Sequence, residues 1–567
     1  MKKRPHRLSW ITQLKYRWLL RRAVWSKPAI GLVTAPEPWT IGDFERGQQL
    51  VSGKVLITGH MMDVGENSIW SQSPPSELFA TELQGFGWLD DLAALGDQAA
   101  KYKAQSWVLD WISGFGMGKG SGWSADLTGW RLIRLINHSS FLMNKLSEGR
   151  QAKVFHSMAI QTLFLAKSWR QLQPGRARFE ALCALVGAAQ SLIGMGSLMA
   201  PALSALALEC KTQIDVDGGI TSRNPEELLK IFGLLTWVKH TLGQSNTPIP
   251  EVLATTITTI APVLRSLRHG DGTLARFHGG GQGSEHMLDQ ALAVSGVRPS
   301  IPQDGAMGFA RLNAGATSLI VDAAPPPLGL SKFEGHASTC AFELSVGRNR
   351  VIVNCGSGLC FGVDWHLAGR VTASHATLGI NGLSSSAFAP AKKGKGRALK
   401  DAPDTVTVHK TRAVDGMRLR VSHNGYQSSH GLLHARTLDL PVDSKGLVGE
   451  DKLYAPDTQD MKRFFAIRGK VHGDLYFSVR FHLHPDVAAS LDSDGASVSL
   501  LLINGDVWVF RYQGLVELSL EESVYFEEGR VHPRPTAQIV LSGEVKEIST
   551  RVRWSLAKAS ENPQKAA

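Results

Sequence analysis

From about Leu78 to Val294, apolar residues recur three and four apart in stretches parted by short Gly, Pro or Ser turns. That is the period of amphipathic helices. Clear cases are SWVLDWISGF, WRLIRLINHSSFLMNKL, FHSMAIQTLFLAKSW, FEALCALVGAAQSLI and PEELLKIFGLLTWVKHTL. Their succession predicts antiparallel helical hairpins. After Pro302 the period drops to two, in STCAFELSV, NRVIVNC, DTVTVHKT, MRLRVSH, LYFSVRFHL, DVWVFRY and TAQIVLSG, with turns at GRN, NG, NG and NGD. Many short strands without helical crossovers predict antiparallel sheets stacked as a sandwich. SGVRPSIPQDG marks the boundary near 295–305. The chain therefore reads as an α+β multidomain protein: a basic arm over 1–45, a helical domain over 46–300 and an antiparallel β domain over 301–567.

A length of 567 residues allows each domain a full core, and 43% hydrophobic with 20% charged residues excludes a disordered chain. A net charge of +11 favours acidic partners without choosing among them. Five scattered cysteines make neither a disulfide framework nor a zinc quartet, which points to a reducing compartment. The N-terminal MKKRPHRLSWITQLKYRWLLRRAVW lacks a signal-peptide apolar region. As a helix it sets Trp10, Leu14, Trp18 and Val24 near one face among cations, suited to packing on its own protein or to peripheral contact with an anionic membrane. The uncharged stretch Ala181 to Leu208 is broken by Gly194, Gly196 and Pro201, so it predicts two buried helices rather than a span, and hence a soluble protein.

Several polar clusters stand out. Asn137 and His138 lie inside the helix WRLIRLINHSSFL, followed by Ser139 and Ser140. DVDGGITSRNPEE supplies a tight turn, Asn224 as a cap, Pro225 at the first helical position and Glu226 and Glu227 in the first turn, and leaves Asp217 and Arg223 without a structural task. RHGDGTLARFHGGGQG, from Arg268, is no Walker loop and follows no strand, so it does not bind a nucleotide in either familiar way. Glu334, His336, Asn354 and His375 fall on neighbouring β segments, where two histidines can meet at one metal. Tyr426, His434 and Arg436 share a further hairpin. AKKGKGRALKD at 391–401 is a basic loop. No nucleic-acid recognition motif accompanies the positive charge, so nucleic acid is not expected as a partner.

From about Phe86 to Leu556 the sequence resembles the heparinase II/III family of polysaccharide lyases. The resemblance rests on FGWLDDLAALG, VLDWI, WRLIRLINHSSFL, DGGITSRNP and RHGDGTLARFHGG in the helical half. In the β half it rests on VDAAPPPLG, HASTCAFELSVGRNRVIVNCGSG, AGRVTASHATL, SHNGYQSSHGLLHARTL and GEDKL, among others. It implies an (α/α) toroid followed by the β-sandwich, and β-elimination on a uronate-containing acidic glycan without a redox cofactor. Such chemistry needs the substrate carboxylate neutralised, a base for the C5 proton and an acid for the leaving oxygen. The resemblance places Asn137 at the carboxylate and His138 as base, with Tyr426 as candidate acid. Arg223, Asp217, His434 and Arg436 would bind substrate.

Two departures matter. The family's catalytic Tyr after the DG turn is missing, which leaves Glu227, with a carboxyl raised by burial, as a substitute acid. The first histidine of the family's His-x-His pair is Glu334, a substitute base. The family's structural zinc would fall on His336, Asn354 and His375, where an amide replaces a carboxylate and binds a dication less well. The alternative is a non-catalytic glycan-binding or envelope-associated protein that keeps the fold. The family implies the cell envelope or periplasm; the missing signal peptide implies the cytoplasm.

Overall fold

The computed structural model describes residues 16, 18–19, 23, 29, 31–34, 36–300, 305–391, 396–469 and 475–559. Of the predicted face of the N-terminal arm, Trp10, Leu14 and Val24 lie outside these residues, as do 392–395 of the basic loop.

The helical half follows the period read from the sequence. The helix Ala125–Asn137 packs on Arg176–Ser191, which in turn packs on Met199–Gln213 and on Pro225–Gln244. The last contact depends on Gly187: a Cβ there would meet the Trp237 ring at 2.5 Å, so only glycine allows the two helices this close. Pro225–Gln244 begins as its sequence dictates, with Asn224 accepting the Glu227 amide at 3.1 Å and Pro225 in the first turn. The stretch Ala181 to Leu208 divides between two helices joined over 192–198, and the second is only half buried, with Leu208 62% exposed. Among the described residues no helix is long and apolar enough to cross a membrane.

The β half is a sandwich of two antiparallel sheets. One runs, edge to edge, through Val406–Ala413, Gly416–His423, Leu433–Pro441, Gly446–Tyr454, Ser549–Lys558, Val507–Gln513, Ser497–Leu501 and Ala488–Leu491. The other runs through Glu517–Tyr525, Arg534–Glu544, Tyr476–Leu483, Asn349–Val353, Phe342–Val346, Thr317–Asp322 and Phe309–Ala314, with Leu378–Ile380 paired beside Tyr476–Leu483. Aromatic rings lock the two together: Phe342 of one sheet stacks on Trp554 of the other at 5.8 Å, and Phe481 meets the same indole edge-on at 4.7 Å.

Thr317–Asp322 and Phe342–Val346 are buried along their whole length. The alternation of a strand explains how. Leu319, Val321, Phe342 and Leu344 face the sandwich core, whereas Ile320 joins the helical core and Asp322, Glu343 and Ser345 receive side chains from the helical half. The domains are thus joined by two ion pairs, Arg223 to Asp322 at 2.5 Å and Arg350 to Asp271 at 2.9 Å, and by a buried hydrogen bond between the His269 ring and the Glu343 carboxylate at 2.9 Å. Arg276 extends the seam, donating to the carbonyls of Cys355 at 3.0 Å and Phe526.

Arg223 itself sits at φ 53° and donates to the carbonyls of Met307, Gly308, Ala324 and Pro325 as well as to Asp322. Arg223→Ala strands a buried carboxylate and four carbonyls, an expected loss of ~3–5 kcal/mol. Calorimetry should show a lower unfolding midpoint. A change below ~1 kcal/mol would contradict this role.

Candidate active site: a self-neutralised interdomain cleft

The helix ends of the helical half face three segments of the β half. An ideal Cβ on Gly281 would lie 3.4 Å from Glu226 Oε2 and 3.8 Å from Glu528 Oε1; one on Gly279 would lie 3.6 Å from the Glu334 carbonyl and 3.9 Å from Asn224 Nδ2. Gly59 makes a comparably close approach to the Cys360 carbonyl. Charged side chains collect at this junction.

Lys230 stands there, with Arg176 near Glu226 and Arg134 near Glu180 further into the helical half, and each of the three cations holds a carboxylate of the same domain. Arg134 Nε lies 2.7 Å from Asp90, Lys230 Nζ 2.7 Å from Glu226 and Arg176 Nε 3.7 Å from Glu180, which also accepts the Trp130 indole N–H. Glu226 takes the Gly281 amide at 2.9 Å too. Two of these pairs have the i, i+4 spacing of one helix. The carboxylates are 10–12% exposed and the cations 24–37%, so the anions occupy the inner positions.

Electrostatics follow. Burial raises the Asp90 carboxyl, but Arg134 and His138 outweigh it and hold the group at about 2. Burial likewise raises Glu226, yet Lys230 brings it below the ordinary value. Glu226 in turn pushes the neighbouring Glu528 upward. Burial pushes Glu180 up against the pull of Arg176.

His138 caps the helix that carries Arg134, and its Nε2 lies 2.8 Å from Asp90 Oδ1 and 3.1 Å from Thr40 Oγ1. A carboxylate-oriented imidazole is how a base is set up, but His138 is only 3% exposed. Asn137 is 1% exposed, and neither its Oδ1 nor its Nδ2 has a hydrogen-bond partner among the described residues. The expectation that both face an open groove is corrected: the ring, held by Asp90 and Thr40, and the amide are both buried in the interior.

Other expected site residues are also placed elsewhere. Tyr426, expected as an acid, is buried in the sandwich core, where its hydroxyl donates to the Leu378 carbonyl at 2.8 Å and burial pushes it up. His434 and Arg436, expected at substrate, are sealed in the same sandwich on Asp451. Arg223 is the interdomain tie, not a substrate ligand. Asp217 is exposed in the turn closed by the Ile214–Ile220 bridge, with its amide on Asp215. Glu227 is half-buried and accepts the Ser222 hydroxyl at 2.5 Å. Glu334 is 57% exposed and lies 3.3 Å from His366.

The supposed zinc set does come together in part: His336 Nδ1 and His375 Nε2 are 3.2 Å apart. Its chemistry does not fit a dication. Asn354 spends its oxygen on the Ala376 amide and turns its nitrogen toward Arg276 and Glu343. The set supplies no anionic ligand, and burial together with His375, His278 and Arg370 drives His336 well below its usual range. Sequence reasoning missed Asp90, Glu180 and Glu226. The i, i+4 spacings 176–180 and 226–230 were a usable signal for two of them.

Over residues 298–555 the sequence matches the family described as Heparinase II/III-like, C-terminal. It is also 31% identical over 536 residues to FtsZ-localized protein C of Caulobacter vibrioides (strain NA1000 / CB15N), spanning 93% of this chain and 90% of that protein. The chain belongs to the heparinase II/III-like family. The fold agrees: a crystal structure of heparinase III superposes with a TM-score of 0.69 at 14% identity, over 98% of this chain and 91% of that one. The heparan sulfate lyase HepC of Pedobacter heparinus gives 0.54 at 15%, over 97% and 88%. The architecture is accordingly the (α/α) toroid plus β-sandwich of a polysaccharide lyase-like protein.

Proposed function

We propose that this member keeps the lyase fold without the elimination chemistry and acts as a non-catalytic, envelope-associated protein at sites that contain FtsZ. The observation that carries the reading is the pairing of Arg134, Arg176 and Lys230 with Asp90, Glu180 and Glu226. A lyase must present uncommitted donors to a substrate carboxylate; here internal carboxylates hold those donors. Tyr426 and His138 are buried away from solvent, and Glu334 stands in place of a histidine. The relative named for its localisation with FtsZ supports the destination. A fluorescent fusion of the full chain should co-localise with FtsZ, and His138→Ala should leave that pattern unchanged. A diffuse wild-type signal would overturn the destination.

The second reading is a lyase on a uronate-containing glycan, the substrate class suggested by the names of lyases of this fold. The Asp90–His138 pair favours it, since it orients an imidazole beside an arginine. On that reading Asn137 serves the carboxylate and His138 takes the C5 proton once the cleft opens.

A further inference from the structure

Away from the cleft, Cys340, His423 and His434 bring Sγ and one ring nitrogen each within 4.8 Å of one another, all buried. Two β strands create the arrangement. His423 ends Gly416–His423, His434 lies at the start of Leu433–Pro441, and the two are direct cross-strand partners, with His423 Nε2 3.1 Å from His434 Nδ1. Cys340 reaches them from the segment before Phe342–Val346, at φ 69°, a left-handed conformation that costs a non-glycine residue energy. Its sulfur has a long contact of 3.8 Å to the Val421 carbonyl. Behind His434, Asp451 Oδ1 accepts the Nε2 hydrogen at 2.8 Å, and Arg436 and the Trp554 indole fix Asp451.

We propose that Cys340 Sγ, His423 Nε2 and His434 Nδ1 form a site for a zinc-class metal ion, separate from the His336–His375 pair. The donors suit such an ion: one thiolate and two imidazoles. A separation of 3.1 Å between the ring nitrogens is close to the ~3.3 Å that two ligands at ~2.0–2.1 Å subtend in a tetrahedron. The Asp451–His434 contact is the carboxylate support that ligating imidazoles characteristically have. Binding releases the Cys340 thiol proton to solvent, and the His423 proton moves from Nε2 to Nδ1. Because Nδ1 now accepts the Gly425 amide at 3.1 Å, that amide must turn away as the metal enters. Without metal, the two rings hydrogen-bond each other, so the chain folds in either state.

Titration of the chelator-treated full chain with Co²⁺ tests the site. One ion per chain should produce visible ligand-field bands and a near-ultraviolet thiolate-to-cobalt charge-transfer band, both displaced by Zn²⁺. Cys340→Ser should remove the charge-transfer band, and His434→Gln should weaken binding ~10-fold or more, within the range seen when a ligand shell is disturbed. His336→Gln/His375→Gln should keep both signals. X-ray absorption on the cobalt-loaded wild-type chain needs no variant and should show one sulfur with nitrogen neighbours. A shell of nitrogen and oxygen alone, no charge-transfer band, or a band that persists in Cys340→Ser would overturn the site and leave the histidines as a hydrogen-bonded pair only.

Discussion

Lowering the pH from 7 to 5 will unfold the protein. His269, His278, His336, His375, His423, His434 and His482 are each at most 3% exposed. Burial holds all seven below their usual value, His375 at about 3 and His482 at about 4. The folded chain keeps His336, His375, His423 and His482 neutral down to pH 5, while the unfolded chain binds protons near pH 6.5. Below that pH the unfolded state holds more protons, so stability falls as pH falls, by up to ~1.4 kcal/mol per histidine per pH unit. These four groups together would remove about 7 kcal/mol at pH 5, comparable with the ~5–15 kcal/mol of a typical domain. The depressed carboxylates cannot cause this loss. Asp90, Asp322 and Asp451 keep their contribution above a pH of ~3.9 and lose it only as the pH falls toward their lower folded values. Circular dichroism melts across this range, in a buffer that binds no metal, should show the midpoint falling steeply. A flat profile from pH 7 to 5 would contradict the buried neutral state.

The second large effect is expected from Asp451→Asn. Asp451 is 1% exposed and receives Arg436 through two nitrogens, at 2.8 and 3.0 Å, with His434 Nε2 at 2.8 Å and Trp554 Nε1 at 2.9 Å. Arg436 also donates to the carbonyls of Cys340 and Ala376, so one guanidinium ties two strands of one sheet to the segments that lead into strands Phe342–Val346 and Leu378–Ile380 of the other. An amide cannot neutralise that cation. The guanidinium is left buried and unpaired, at a cost of ~3–5 kcal/mol. Urea unfolding should register it, and Asp451→Asn/Arg436→Met should recover part of the loss, because removing both charges removes the unpaired ion. A single substitution within ~1 kcal/mol of wild type would show that the pair does not hold the sandwich.

The elements were legible because their periods are. Helical spacing ends with Ser295 and alternation begins with Phe309, either side of the Pro and Gly boundary. The cap and first turn at Asn224 and Pro225 also follow from the sequence alone. The destinations of the charges were not legible. FELSV reads as an ordinary strand, and nothing local says that Glu343 points at His269 of another domain. RHGDG and Arg276 attract attention as a glycine-rich polar loop, yet His269, Asp271 and Arg276 form the interdomain seam. Tyr426, His434 and Arg436 have the residue types of a site and are packed inside a sandwich. Asp90 and Arg134 are 44 positions apart, so only tertiary structure pairs them. Residue type proposes chemistry, and burial with pairing decides whether a substrate can reach it.

The most direct measurement incubates the purified full chain with a panel of acidic glycans and follows ultraviolet absorbance, because elimination creates a conjugated unsaturated uronate. With Arg134, Arg176 and Lys230 held by internal carboxylates and His138 sealed, wild type and His138→Ala should both stay at the blank rate. An absorbance rise with wild type that falls ~10²-fold or more in His138→Ala would show a working base in the cleft and contradict this account.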